Sequence, residues 1–132
     1  MISMPDTNVI LRYLLEDNRQ QFRTVCDVFE KVRSGDARAI ILESVLVECV
    51  YVLVKFYSVP RALAAEKLAA IMRYRGIENG DRVELVRALE LYAGGNMDIV
   101  DCILHEKSMR SGYSLFSFDE KLKKISRSVH PR

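Results

Sequence analysis

Apolar residues recur at helical spacing through most of the chain, interrupted by short continuous apolar runs. Met1 to Met4 reads as a short strand. Asp6, Thr7 and Asn8 follow, and any of them suits the cap of a helix beginning near Val9, with Val9, Ile10, Tyr13 and Leu14 at helical spacing. Phe22, Val25, Cys26, Phe29 and Val32 repeat the period, and Ser34-Gly35-Asp36 stops that helix. Ala39 to Leu42 is a continuous apolar run that reads as a buried strand. Ser44 is placed to cap a long helix running to about Tyr57, with Val47, Val50, Tyr51 and Val54 on its apolar face. Pro60 opens the next helix at its first turn, with Leu63, Leu68 and Ile71 on the inner side. Ile77 is a short strand candidate, and Arg82 to Tyr92 is helical up to Gly94-Gly95-Asn96. Asp98 to Arg110 forms a further helix that Gly112 ends. Tyr113 to Phe118 alternates weakly and reads as a strand, Asp119 starts a short basic helix through Ile125, and Ser128-Val129 is a candidate last strand.

Short strands alternating with helices predict a parallel sheet with right-handed crossovers, whose active site lies at the carboxyl ends of the strands. The 132 residues suit one domain spanning 1–132, with no repeat, low-complexity segment or linker. Pro5, Pro60 and Pro131 fall at element edges. With 49% hydrophobic and 29% charged residues, the chain has enough apolar surface for a core. A net charge of +2 is no global nucleic-acid signature, so such a partner must be argued from local patches. No apolar run is long enough to span a membrane, and the opening M-I-S-M-P-D lacks the basic and apolar regions of a signal peptide. Cys26, Cys49 and Cys102 are odd in number and widely spaced among apolar neighbours. They read as reduced, buried thiols, which sets the expectation of a cytoplasmic protein.

The stretch N-M-D-I-V-D-C-I-L changes the picture, because it sets Asp98 and Asp101 among residues that belong in a core. A buried carboxylate without a partner is costly, so it shifts its pKa or finds a counter-charge. Three residues apart, the two share one helix face. Asp6 and Asp119 each stand where a predicted strand meets a helix, and Glu48 lies on the second turn of the helix after the second strand, flanked by Val45, Leu46, Val47 and Val50. Brought together, such acids cannot all stay ionised unaided. Hard cations such as Mg²⁺ or Mn²⁺ resolve the conflict, and two ions roughly 3.5–4 Å apart suit phosphodiester hydrolysis. Each acid also has an ordinary reading: Asp6, Asp98 and Asp119 as helix caps, and Glu48 as a solvent-facing side chain. Asp101 is the hardest to explain that way.

Four short motifs, in order, resemble the PIN domain, and in particular a toxin of the VapC type. They are D-T-N-V-I-L-R-Y-L-L (Asp6–Leu15), L-V-E-C-V-Y-V-L (Leu46–Leu53), D-I-V-D-C-I-L (Asp98–Leu104) and L-F-S-F-D-E-K-L (Leu115–Leu122). The resemblance implies a three-layer α/β/α domain with a short central parallel sheet. It implies a Mg²⁺- or Mn²⁺-dependent endoribonuclease with one or two ions and an acidic set of Asp6, Glu48, Asp101 and Asp119. Asp98 enters as an accessory ligand or cap. Asn8 resembles the polar residue beside the first aspartate and would orient a ligand. Ser117 stands where Thr or Ser is usual and would donate to Asp119 or to a water. The resemblance further implies a homodimer and a cognate antitoxin that places Arg or Lys in the acidic pocket. Two features depart from the pattern: Pro5 in the first strand, since proline cannot donate to a ladder, and Glu43 at the end of the second strand, either an added carboxylate or a water-facing one.

Other residues offer weaker chemistry. His105 shares a helix face with Asp98 and Asp101, as a transition-metal ligand, as a partly buried histidine, or as one hydrogen-bonded to Asp101. Lys121, Lys123, Lys124, Arg127 and Arg132, with Arg12 and Arg19, either track an RNA backbone or form a solvated basic surface. Tyr51 reads as core, and Tyr57 as either core or contact surface. No nucleophile triad and no phosphate-binding glycine loop is present. The rival to the nuclease is a catalytically inactive PIN-like module that binds RNA or protein, and a second rival is a nuclease acting on DNA.

Overall fold

The computed structural model describes residues 1–110 and 113–129, and its parallel sheet is the smallest part of the fold. Strand β1 (Ile2–Ser3) pairs with β2 (Arg38–Ala39), Ile2 opposite Arg38 and Ser3 opposite Ala39. Ala39 adds a single parallel bridge to Ile77. Because β1 ends at Ser3, Pro5 lies outside the ladder and its missing N–H is not needed there. The apolar run Ala39 to Leu42 is strand only at its start. At Ile41 an asparagine replaces the neighbouring strand: the Ile41 N–H donates to Asn79 Oδ1 at 2.9 Å, and Asn79 Nδ2 donates to the Ile41 carbonyl at 2.6 Å. Gly76 permits the close approach beside this edge, since a Cβ there would stand 2.0 Å from the Ala37 carbonyl oxygen.

Seven α-helices make up most of the described residues: α1 (Thr7–Leu15), α2 (Arg19–Ser34), α3 (Glu43–Tyr51), α4 (Arg61–Met72), α5 (Arg82–Gly94), α6 (Ile99–Arg110) and α7 (Glu120–Val129). Apolar spacing decides which faces meet. Ile10, Phe29, Leu46, Leu53, Leu68, Leu89 and Ile99 are all buried in one core. Helix α5 packs between α4 and α6, and α6 also touches α3 and α7. Gly35, with φ of +89°, ends α2 in the left-handed conformation that glycine adopts without penalty.

Several expectations need correction. Ser44 is not a cap; α3 starts at Glu43 from an extended Leu42 without a side-chain cap. The helix does run on from Tyr51, but as a π-helical turn over Val52–Phe56. Leu63 is 42% exposed, because the buried side of α4 is formed by Ala64, Ala65, Leu68, Ala69, Ile71 and Met72. Tyr113 to Phe118 is not a strand: β1, β2 and the Ile77 bridge leave it no partner, and a strand without a ladder has no hydrogen-bond support. Ser128-Val129 is no strand either, since α7 continues to Val129. The fold is therefore helix-rich with a small parallel sheet. Gly112, His130, Pro131 and Arg132 lie outside the described residues. No helix among the described residues is long and apolar enough to cross a membrane.

Candidate functional site

Helix starts position three of the predicted acids. Asp6 is the N-cap of α1, and its Oδ1 accepts from the Val9 N–H at 2.9 Å. Asp119 does the same for α7, its Oδ1 accepting from the Leu122 N–H at 3.0 Å. At the start of α6 the Ile99 N–H donates to Asp98 Oδ1 at 2.8 Å. In Asp6 and Asp119 the second carboxylate oxygen carries no hydrogen bond among the described residues.

The acids fall into two groups. Asp6 and Glu48 both act on Cys49, whose thiol is pushed up to about 12 by burial first, then by the charges of Glu48 and Asp6. Asp101 lies under the fields of Asp119 and Asp98. Burial raises its pKa most, Asp119 next and Asp98 third, with no base acting in the other direction. Asp101 is half-buried, whereas Asp6, Glu48, Asp98 and Asp119 are exposed. The expectation that Glu48 faces inward is therefore corrected: Leu46, Cys49, Val50 and Leu53 take the buried face, and Glu48 falls outside it. Among the described residues no three His, Cys, Asp or Glu side chains stand together closely enough to hold a metal ion.

The supporting residues also differ from expectation in part. Tyr51 is not simply core; its hydroxyl donates toward Asp98 at 3.1 Å (Oδ1) and 3.0 Å (Oδ2). Burial and that hydrogen bond raise the Tyr51 pKa. Ser117 does not donate to the Asp119 carboxylate; its Oγ accepts from the Asp119 N–H at 3.0 Å. Asn8 is exposed on the first turn of α1. His105 is buried and shares a hydrogen bond with Ser126 at 2.9 Å, joining α6 to α7 rather than bonding to Asp101. Glu43 pairs with Lys107 at 2.8 Å, and Asp81 pairs with the same ammonium at 3.0 Å. The three cysteines are free, with Cys49 and Cys102 buried and Cys26 partly so.

Sequence reasoning missed Arg61. Its Nε donates to the Tyr92 carbonyl at 2.9 Å and its Nη2 to the Met97 carbonyl at 2.6 Å, with the guanidinium 3.8 Å over the Tyr92 ring. These contacts tie the start of α4 to the turn that presents Asp98. Partners more than 30 positions away leave no local pattern to read.

The donor set suits a hard divalent cation in its chemistry. Asp6, Glu48, Asp98, Asp101 and Asp119 form no ion pair within 4.0 Å among the described residues, and they offer only carboxylate oxygens. The Asp101 pKa is raised by burial first and then by the negative charges of Asp119 and Asp98, so the ionised form is disfavoured there. An open cavity of about 380 Å³ between α1, α2 and α4 is lined by Tyr13, Phe22, Cys26, Lys67 and Tyr74 and includes none of these acids.

No curated protein and no solved structure matches the chain. The model of one family, the PIN domain, matches residues 3–128, a span that runs from β1 into α7 and takes in all five acids. The chain belongs to the PIN domain family, whose members are in general nucleases.

Proposed function

We propose that the protein is a divalent-metal-dependent endoribonuclease, the toxin of a VapC-type toxin–antitoxin pair, built on the three-layer α/β/α scaffold of its family. The observation that carries this reading is Asp101, half-buried under the charges of Asp119 and Asp98 with no ion pair among the described residues. Asp101 and Asp119, with Asp6 and Glu48, supply the oxygens for one or two Mg²⁺ or Mn²⁺ ions, and Asp98 is accessory. Bound there, such an ion lowers the pKa of water and offsets the charge of a phosphodiester. The cap bonds of Asp6 and Asp119 engage one oxygen of each carboxylate, and the other oxygen would be the one to hold an ion. The N-termini of α1, α6 and α7 add partial positive charge on the side of these acids, which favours a phosphate. Asn8 and Ser117 keep the roles of orienting groups, Ser117 through the backbone of Asp119. A cytoplasmic homodimer silenced by an antitoxin that offers Arg or Lys to the acids completes the reading.

A catalytically inactive module that binds RNA or protein is the second reading. It is favoured by the lack of a ready-made three-ligand cluster among the described residues. Structured RNAs incubated with purified protein in Mn²⁺, Mg²⁺ or EDTA, beside Asp101→Asn, separate the two. The nuclease requires metal-dependent cleavage that Asp101→Asn abolishes, and thermal stabilisation by Mn²⁺ that the same substitution removes. Folded protein with neither response is the binding module.

A further inference from the structure

Phe116 and Phe118 stand out among the apolar side chains because they are 87% and 89% exposed, in the segment that leads straight into Asp119. Two large aromatic rings two residues apart carry a clear hydrophobic cost in water. Their rings meet edge to face, with centroids 5.9 Å apart and planes at 76°. That angle is informative. Bases stacked in a duplex lie in parallel planes, so two neighbouring bases still stacked on each other cannot both lie flat on rings set nearly at right angles. Only nucleotides splayed apart, as in single strands and loops, can do so. Just beyond Asp119 the exposed Lys121 and Lys124 add positive charge suited to a phosphate backbone, while Lys123 is held by Glu120 at 2.9 Å.

We propose that Phe116 and Phe118 form a base-splaying corner that grips unpaired nucleotides of RNA next to the acidic site. This rests on the nuclease reading for its substrate. The corner gives the site its preference for single-stranded over duplex RNA, and Phe118 sets the distance between a gripped base and the phosphate presented to Asp119.

The test measures binding without cleavage, so that it can succeed or fail apart from the chemistry. Fluorescence anisotropy of a short labelled RNA, as a single strand and as a blunt duplex, is read in EDTA for wild type, Phe116→Ala/Phe118→Ala, Phe116→Leu/Phe118→Leu and Phe116→Tyr/Phe118→Tyr. The side chains are exposed, so the variants should keep the wild-type circular dichroism and melting temperature. Wild type should prefer the single strand. The alanine and leucine variants should lose about tenfold or more in single-strand affinity per ring, and the tyrosine variant should retain it. Phenylalanine-dependent binding by a protein that never cleaves RNA would keep the corner and remove the nuclease. Unchanged binding in the alanine variant, full binding by the leucine variant, equal affinity for duplex, or no binding by wild type would each overturn the proposal. So would loss of self-association in the alanine variant, by sedimentation, with RNA binding intact, because the rings would then be a protein contact.

Discussion

Two acidic groups sit along α6 and are resolved in opposite ways. Toward the C-terminal end, Lys107 bridges Glu43 at 2.8 Å and Asp81 at 3.0 Å, and its own pKa is raised chiefly by the Glu43 bond. Toward the N-terminal end, Asp101 lies under the charges of Asp119 and Asp98 and forms no ion pair within 4.0 Å among the described residues. The first group carries its counter-ion within the chain and needs nothing more. The second keeps its repulsion in the folded state, a cost that a raised pKa eases and a bound cation would relieve. The protein can therefore be expected to use one cluster for stability and the other for binding, and substitutions should affect the two in opposite ways.

The largest effect should come from Asp101→Asn. Cleavage should fall by about 100-fold or more, because charge stabilisation worth several kcal/mol is lost. Wild type at 100 times the dissociation constant for Mn²⁺ should gain about 2.7 kcal/mol of stability, and the variant should not. Without metal the sign reverses. The folded-state pKa of Asp101 lies above its ordinary value of 3.8, so the folded protein binds more protons than the unfolded chain between the two values. Its contribution to stability then falls as pH rises through that window, and the deficit is complete above the folded pKa. Metal-free Asp101→Asn should lack this slope and be more stable than wild type at neutral pH. Paired melts in EDTA across the acid range would show it, and parallel curves would remove the repulsion argument.

Lys107→Met should do the reverse. It leaves Glu43 and Asp81 without their shared cation, but the ammonium is about a third exposed, so screening limits the loss. A loss of about 1 kcal/mol, or about 4 °C in melting temperature, is expected with cleavage preserved. Urea melts beside the RNA assay would check both halves.

The sequence was most legible where the signal is local. Helix period, Gly35 and the cap position of Asp6 read correctly, because each depends on residues a few positions apart. The family motifs are likewise local, each a run of seven to ten consecutive residues. What failed depends on distant partners. Tyr113 to Phe118 alternates as a strand does, but the ladder it needs is absent. Glu48 is surrounded by apolar neighbours in sequence, yet a helix turns it away from the buried face of Leu46, Cys49 and Val50. His105 is buried, as one of its readings had it, but its partner is Ser126, 21 residues on, rather than Asp101 on its own helix.

The smallest effect sharpens the contrast most. Tyr51 gives Asp98 a neutral donor, at 3.1 and 3.0 Å, and so eases part of the acidic group without neutralising it. Tyr51→Phe should lower stability by about 0.5–1 kcal/mol, since the carboxylate is exposed and water replaces the lost bond. The change in cleavage should stay well below that of Asp101→Asn, and stabilisation by Mn²⁺ should persist, because Asp101 and Asp119 are untouched. If Tyr51→Phe abolished the Mn²⁺ response while leaving the fold intact, Asp98 would be a principal ligand rather than an accessory one. The uncompensated charge of the N-terminal group would then centre on the cap of α6 instead of on its first turn.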